Sequence, residues 1–167
     1  MKKPQVGIVM GSDSDLAVML ESAKLLKIFW VPYEVTITSA HRSPQKTLRY
    51  IEESERKGIE LFIVGAGGAA HLAGVIAAHT TLPVIGVPLD SSGLKGLDAL
   101  LATVQMPSGV PVATMAIGTA GAKNAAILAV QILAKRNPAL KEKLKRHKRQ
   151  LAQDVEAKNR QVRRKNR

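Results

Sequence analysis

Cysteine is absent from the chain. That excludes disulfides, thiol catalysis and cysteine-ligated zinc, and it is compatible with a reducing cytosol. Aromatic residues reach only 3%, so an aromatic-rich β-sandwich fits poorly. The zinc-protease pattern H-E-x-x-H is missing, and His71 and His79 lie eight residues apart with few carboxylates nearby, so no metal site is expected. No G-x-S-x-G occurs either, which leaves serine-hydrolase chemistry without an anchor. A secretory leader would need a longer apolar stretch and a small-residue cleavage site, and neither follows Met1-Lys2-Lys3-Pro4. The segment Leu61 to Ala78 carries no Asp, Glu, Lys or Arg over 18 residues but holds four glycines and His71. It reads as a buried strand, a glycine loop and a small-residue helix rather than a membrane span. A cytoplasmic protein is the expectation.

What is present is enough for a core. Hydrophobic residues make up 46% of 167 positions, which excludes wholesale disorder and suits one domain. The net charge of +12 is unevenly placed. Residues 1–134 hold 11 Lys/Arg against 10 Asp/Glu, whereas residues 135–167 hold 14 against 3. The basicity therefore belongs to the tail and says little about what the body binds.

Short aliphatic runs alternate with helical patterns through the first 134 residues. The strands expected are 5–10, 33–38, 61–66, 84–87 and 112–116. Helices are expected over 15–28, 44–57, 69–79, 93–104 and 120–135. Continuous apolar strands separated by helices indicate parallel βαβ units with both sheet faces covered. Pro44 after Ser43 suits a helix start and Gly58 a helix end. From Pro138 onward a last helix carries one thin stripe, Leu140, Leu144, Leu151 and Val155, and is expected to fray into residues 163–167. The expected organisation is a catalytic α/β domain over 1–137 and a basic helix over 138–167 that packs on the body or on a neighbouring subunit.

In open parallel sheets, ligands sit beyond the carboxyl ends of the strands where the winding reverses. With the flavodoxin-like strand order 2-1-3-4-5, three loops converge there. Gly11-Ser12-Asp13-Ser14-Asp15 offers hydroxyls and backbone N–H groups for a phosphate and carboxylates for ribose hydroxyls, beyond what one helix cap needs. Ser39-Ala40-His41-Arg42-Ser43 combines a planar guanidinium fork with a side chain that exchanges protons near neutral pH. Gly65-Ala66-Gly67-Gly68-Ala69-Ala70 fits the dinucleotide pattern G-x-G-x-x-A. It stands in the third βα unit rather than the first, however, and the acidic Asp90 comes late. A glycine-lined pocket offering N–H groups to a carboxylate or phosphate is the better fit. The tail's lysines and arginines would attract nucleic acid non-specifically, but residues 139–167 contain no aromatic side chain for base stacking. A solvated helix is the expectation there, with nucleic acid an unlikely partner.

Taken together, these loops, His71-Leu72 and the later Val104-Gln105-Met106-Pro107 resemble the signature segments of the N5-carboxyaminoimidazole ribonucleotide mutase family of purine biosynthesis. The resemblance runs over roughly residues 5–136; Ala73 and Val75 stand where that family usually has Pro and Met. It implies a three-layer α/β sandwich with a central parallel sheet, assembled as a homo-octamer with sites at subunit junctions. It implies a ribonucleotide monophosphate substrate with an aminoimidazole base, and no metal, flavin, biotin or ATP. Carried onto this chain, His41 is the general acid/base and Arg42 binds phosphate. Ser12 and Asp15 contact the phosphoribosyl part, and Ser14 and Ser39 also bind substrate. The Gly65–His71 loop, with Gly67, Gly68, Ala69 and His71, cradles the migrating carboxylate, and Leu72 also binds substrate.

Overall fold

The structure is a computed structural model and describes residues 3–166. Five strands, β1 (Val6–Met10), β2 (Tyr33–Ile37), β3 (Leu61–Gly67), β4 (Val84–Leu89) and β5 (Ala113–Thr114), form one sheet in the order β2-β1-β3-β4-β5. Every pairing is parallel. The strand order and the flavodoxin-like α/β class are those expected from the alternation of apolar runs and helices. The helices are α1 (Leu16–Phe29), α2 (Pro44–Lys57), α3 (Leu72–Ala78), α4 (Leu97–Val104), α5 (Gly118–Ala134) and α6 (Pro138–Lys165).

Burial follows position in the sheet. β1, β4 and nearly all of β3 are buried, while the edge strand β2 alternates between half-buried and exposed. Val9, Phe62, Val64, Ile76 and Ala99 meet in one core cluster between sheet and helices. Each fully buried aliphatic side chain contributes about 1.5–3 kcal/mol of transfer free energy, so the central strands anchor the carboxyl-end loops.

Several boundaries differ from the sequence reading. β4 continues through Pro88 to Leu89, paired with Ala66 and Gly67 of β3, whereas β5 pairs only with Ile85 and Gly86. Past Gly86 one side of β4 is therefore open, and a residue without an N–H is tolerated there. α3 begins at Leu72 rather than 69, because Gly68 takes a left-handed conformation (φ 58) and Ala70 and His71 close turn bonds to Gly68 and Ala69. α4 begins at Leu97 rather than 93, and a loop fills the interval.

The chain forms two compact units, one running to Ala129 and one from Val130, with the division inside α5. The second unit is dominated by α6, whose N-cap Asn137 accepts from Leu140 N at 3.2 Å. Residues 163–165 remain helical instead of fraying; Arg167 lies outside the described residues, as do Met1 and Lys2. No helix among the described residues is long and apolar enough to cross a membrane.

Candidate active site

A cleft of about 390 Å³ opens at the carboxyl edge of the sheet, lined from the loops after β1, β2, β3 and β4. Its size falls within the range of small-molecule sites. A larger groove of about 820 Å³ beside Ile28, Trp30 and Tyr33 is mostly apolar, and its lining offers no carboxylate or histidine for acid–base work.

The β1 loop is a short 3₁₀ turn over Asp13–Asp15 held by a reciprocal capping box. Ser14 N donates to Ser12 Oγ at 3.4 Å, and Ser12 N donates to Asp15 Oδ2 at 3.2 Å. Ser14 Oγ also donates to Asp15 Oδ1 at 3.5 Å. Capping and cleft lining are thus combined, since Ser12, Ser14 and Asp15 all face the cleft. Asp15 is buried, at 7% exposure. Burial pushes its carboxyl above the ordinary value, against the lowering effect of the bonds from Ser12, Ser14 and Gly11. With no cationic partner among the described residues, this carboxylate is a hydrogen-bond acceptor at the cleft wall.

The β2 loop is pinned from below by buried hydroxyls. Thr38 Oγ1 and Thr47 Oγ1 are 2.8 Å apart, and Ser39 N donates to Ser43 Oγ at 3.0 Å. Ser39 Oγ accepts from Arg42 N at 3.1 Å, which sets the turn that presents His41 and Arg42. Arg42 Nη2 donates to Gly11 O at 2.9 Å and so bridges the β2 and β1 loops. Both His41 and Arg42 are exposed to the cleft.

The β3 loop brings up the other side. Gly67, Ala69 and Leu72 line the cleft; Gly68 and His71 do not. His71 nevertheless reaches the site, because its Nδ1 lies 2.8 Å from His41 Nε2. The two rings meet edge to face, with centroids 4.9 Å apart and planes at 84°. In such a bond one imidazole donates N–H and the other accepts, so each fixes the other's tautomer and ring orientation.

Of the residues singled out from the sequence, His41, Arg42, Ser12, Ser14, Asp15, Ser39, Gly67, Ala69 and Leu72 share one cleft, and His71 is hydrogen-bonded to it. Gly68 shapes the loop from outside. Sequence reasoning missed Ser91, which lines the cleft from the end of β4. Its signal is positional, as the second residue beyond the carboxyl end of β4. Among the described residues no group of three or more His, Asp or Glu side chains is arranged to hold a metal ion.

Comparison with known proteins converges on one family. The family model described as AIR carboxylase matches residues 5–154. A protein of Pyrococcus horikoshii named N5-carboxyaminoimidazole ribonucleotide mutase is 58% identical over 157 residues, covering 94% of this chain and 88% of the relative. One of the same name from Thermotoga maritima is 53% identical over 152 residues, covering 91% and 88%. The crystal structure of Treponema denticola PurE is similar with a TM-score of 0.86 at 28% identity, covering 95% of this chain and 98% of that one. With the family model spanning most of the sequence and relatives at this level of identity, the chain belongs to the AIR carboxylase family.

Proposed function

We propose that this chain is an isomerase of purine biosynthesis, a mutase that converts N5-carboxyaminoimidazole ribonucleotide to 4-carboxy-5-aminoimidazole ribonucleotide. The names of relatives 58% and 53% identical to it support the reaction. The observation that carries the reading is the His41–His71 pair standing across a cleft that also holds Arg42.

Arg42 offers guanidinium donors beyond the one given to Gly11 O, a fork suited to the substrate phosphate. Ser12 and Ser14 add hydroxyls beside it, and Asp15 accepts from the ribose. As the exocyclic N–C bond breaks, its electron pair stays on nitrogen, which takes a proton from His41, and neutral carbon dioxide is left in the pocket. The ring carbon then attacks that carbon dioxide to form the C–C bond. The proton on this carbon returns to His41, so the residue ends the cycle as it began. His71 keeps the His41 ring oriented before substrate arrives. Confining carbon dioxide beside the base makes recapture effectively unimolecular, which is worth a large factor over reaction with dissolved gas.

The reaction belongs to a cytoplasmic homo-oligomer, an octamer on the pattern of the family. Exposed Leu97, Leu101 and Val104 on α4, and Leu151 and Val155 on α6, support association with further copies of the chain. On the same reading residues 138–167 form a basic appendage to a catalytic body over 1–137, packed on that body or on a neighbour. A direct assay tests the function: purified protein with N5-carboxyaminoimidazole ribonucleotide should form the ring-carboxylated product, and no product under any condition of pH would overturn it.

A further inference from the structure

The motifs that identify the cleft account for three of its walls, and Ser91 forms the fourth. It is the one residue of the β4–α4 loop that lines the cleft. Its hydroxyl stands against β3 in the space that a side chain at position 67 would occupy. A Cβ on Gly67 would overlap Ser91 Oγ and lie 3.3 Å from Leu89 O. The glycine at 67 therefore has a packing reason besides its approach to a ligand: it makes room for the Ser91 side chain at the cleft wall.

The two adjacent serines do different things. Ser92 Oγ donates to Asp98 Oδ2 at 2.7 Å and accepts from Leu94 N at 3.2 Å, which latches the loop to the first turn of α4. Ser91 Oγ has no hydrogen-bond partner among the described residues. The loop is thus braced by one serine and presents the other, with its donor unused.

Position along the sheet says what that donor meets. Neighbouring strands are about 4.8 Å apart, so in the order β2-β1-β3-β4 the β4 end is roughly 14 Å from the β2 end that carries Arg42. A nucleotide with its phosphate at Arg42 extends toward β3 and β4 with its base. His41 reaches across to His71 in the β3 loop and marks where the reacting atoms sit. At that end the side-chain hydroxyl lining the wall is Ser91, since Ser12, Ser14 and Ser39 belong to the β1 and β2 loops.

We propose that Ser91 is a substrate-binding residue whose hydroxyl donates a hydrogen bond to the migrating carboxylate and holds the carbon dioxide formed between its two bonded states. The assignment rests on the mutase reading above. Ser91→Ala removes no intramolecular hydrogen bond, so its Tm should equal that of the wild type. Losing a hydrogen bond to a charged group should lower kcat/KM about 10- to 100-fold. A larger share of substrate should also escape as decarboxylated aminoimidazole ribonucleotide. Ser92→Ala serves as the structural control, expected to lower Tm by loosening the loop. Wild-type kcat/KM and wild-type leakage in Ser91→Ala would overturn the proposal, as would a loss of activity accompanied by a lower Tm. An inactive wild-type enzyme would overturn the mutase reading itself, a separate result.

Discussion

His41 Nε2 and His71 Nδ1 are 2.8 Å apart although 30 residues separate them in the chain. The contact joins the β2 loop to the β3 loop across β1, which lies between them in the sheet. A bond between two imidazoles breaks when both rings carry two protons, because neither then has a lone pair to offer. The bonded pair therefore acts as a unit in which each ring sets the other's orientation.

His41→Asn should retain nucleotide binding but lose turnover by several orders of magnitude, in both reaction directions, because the same group gives and takes the proton. His71→Asn should cost less, about 10- to 100-fold in kcat, since it orients the acid/base rather than replacing it. Steady-state rates in both directions check this. Near wild-type turnover of His41→Asn in either direction would remove it from the mechanism.

Arg42→Ala should weaken binding of the nucleotide about 10- to 100-fold, the range for a hydrogen bond to a charged group. Binding of the dephosphorylated nucleoside should barely change. Calorimetric titration with the two ligands separates the phosphate role from the bridge that Arg42 makes to Gly11 O; equal losses would assign Arg42 to the bridge alone.

Asp15 links the site to stability. Its carboxyl is raised in the folded state chiefly by burial. The folded protein thus holds that proton more tightly than the unfolded chain does. The resulting stabilisation is fully present below the unfolded value of 3.8 and is lost as pH rises through the raised folded value. At neutral pH the buried charge is a cost. Asp15→Asn should therefore raise Tm relative to wild type at pH 7, with an advantage that shrinks as pH falls toward 4, while substrate binding weakens. Thermal melts across that interval, together with KM, check both halves.

These groups differ in how far the sequence discloses them. The parallel sheet is legible because β1, β3 and β4 are unbroken apolar runs, a pattern that burial on both faces requires. The first three loops are legible because each concentrates polar or glycine residues straight after a strand. Ser91 is not, because its meaning depends on facing Gly67, and nothing in the β4–α4 loop announces that contact. The His41–His71 bond is hidden for the same reason. It depends on strand order and on α3 starting after His71 rather than at Ala69. Pro88 suggests a strand ending at Val87, whereas the open side of β4 there accepts a proline.

The charged tail separates assembly from chemistry. Deleting residues 157–167 should leave activity intact, because α6 is exposed there and Val162 is its one large apolar side chain. Cutting back to Pro138 removes Leu140, which is buried, with Leu144, Leu151 and Val155, and should disturb the oligomer. Light scattering of both truncations decides; unchanged assembly after the longer cut would show that α6 takes no part in it.

Retention of carbon dioxide distinguishes a mutase from an enzyme that carboxylates aminoimidazole ribonucleotide with dissolved gas. Ala66, Gly67 and Ala69 of the β3 loop line the cleft with backbone and small side chains, which suits a neutral intermediate. Carbon dioxide released there needs only to turn toward the ring carbon, whereas escape requires diffusion out past substrate. Recombination should therefore be faster than loss. With labelled carboxylate on the substrate and unlabelled bicarbonate in solution, most of the label should appear in the product. The direct route from aminoimidazole ribonucleotide should need high bicarbonate and run much more slowly. Early product carrying mainly solvent-derived carbon would show that the pocket leaks faster than it recaptures, and that this chain works as a carboxylase instead.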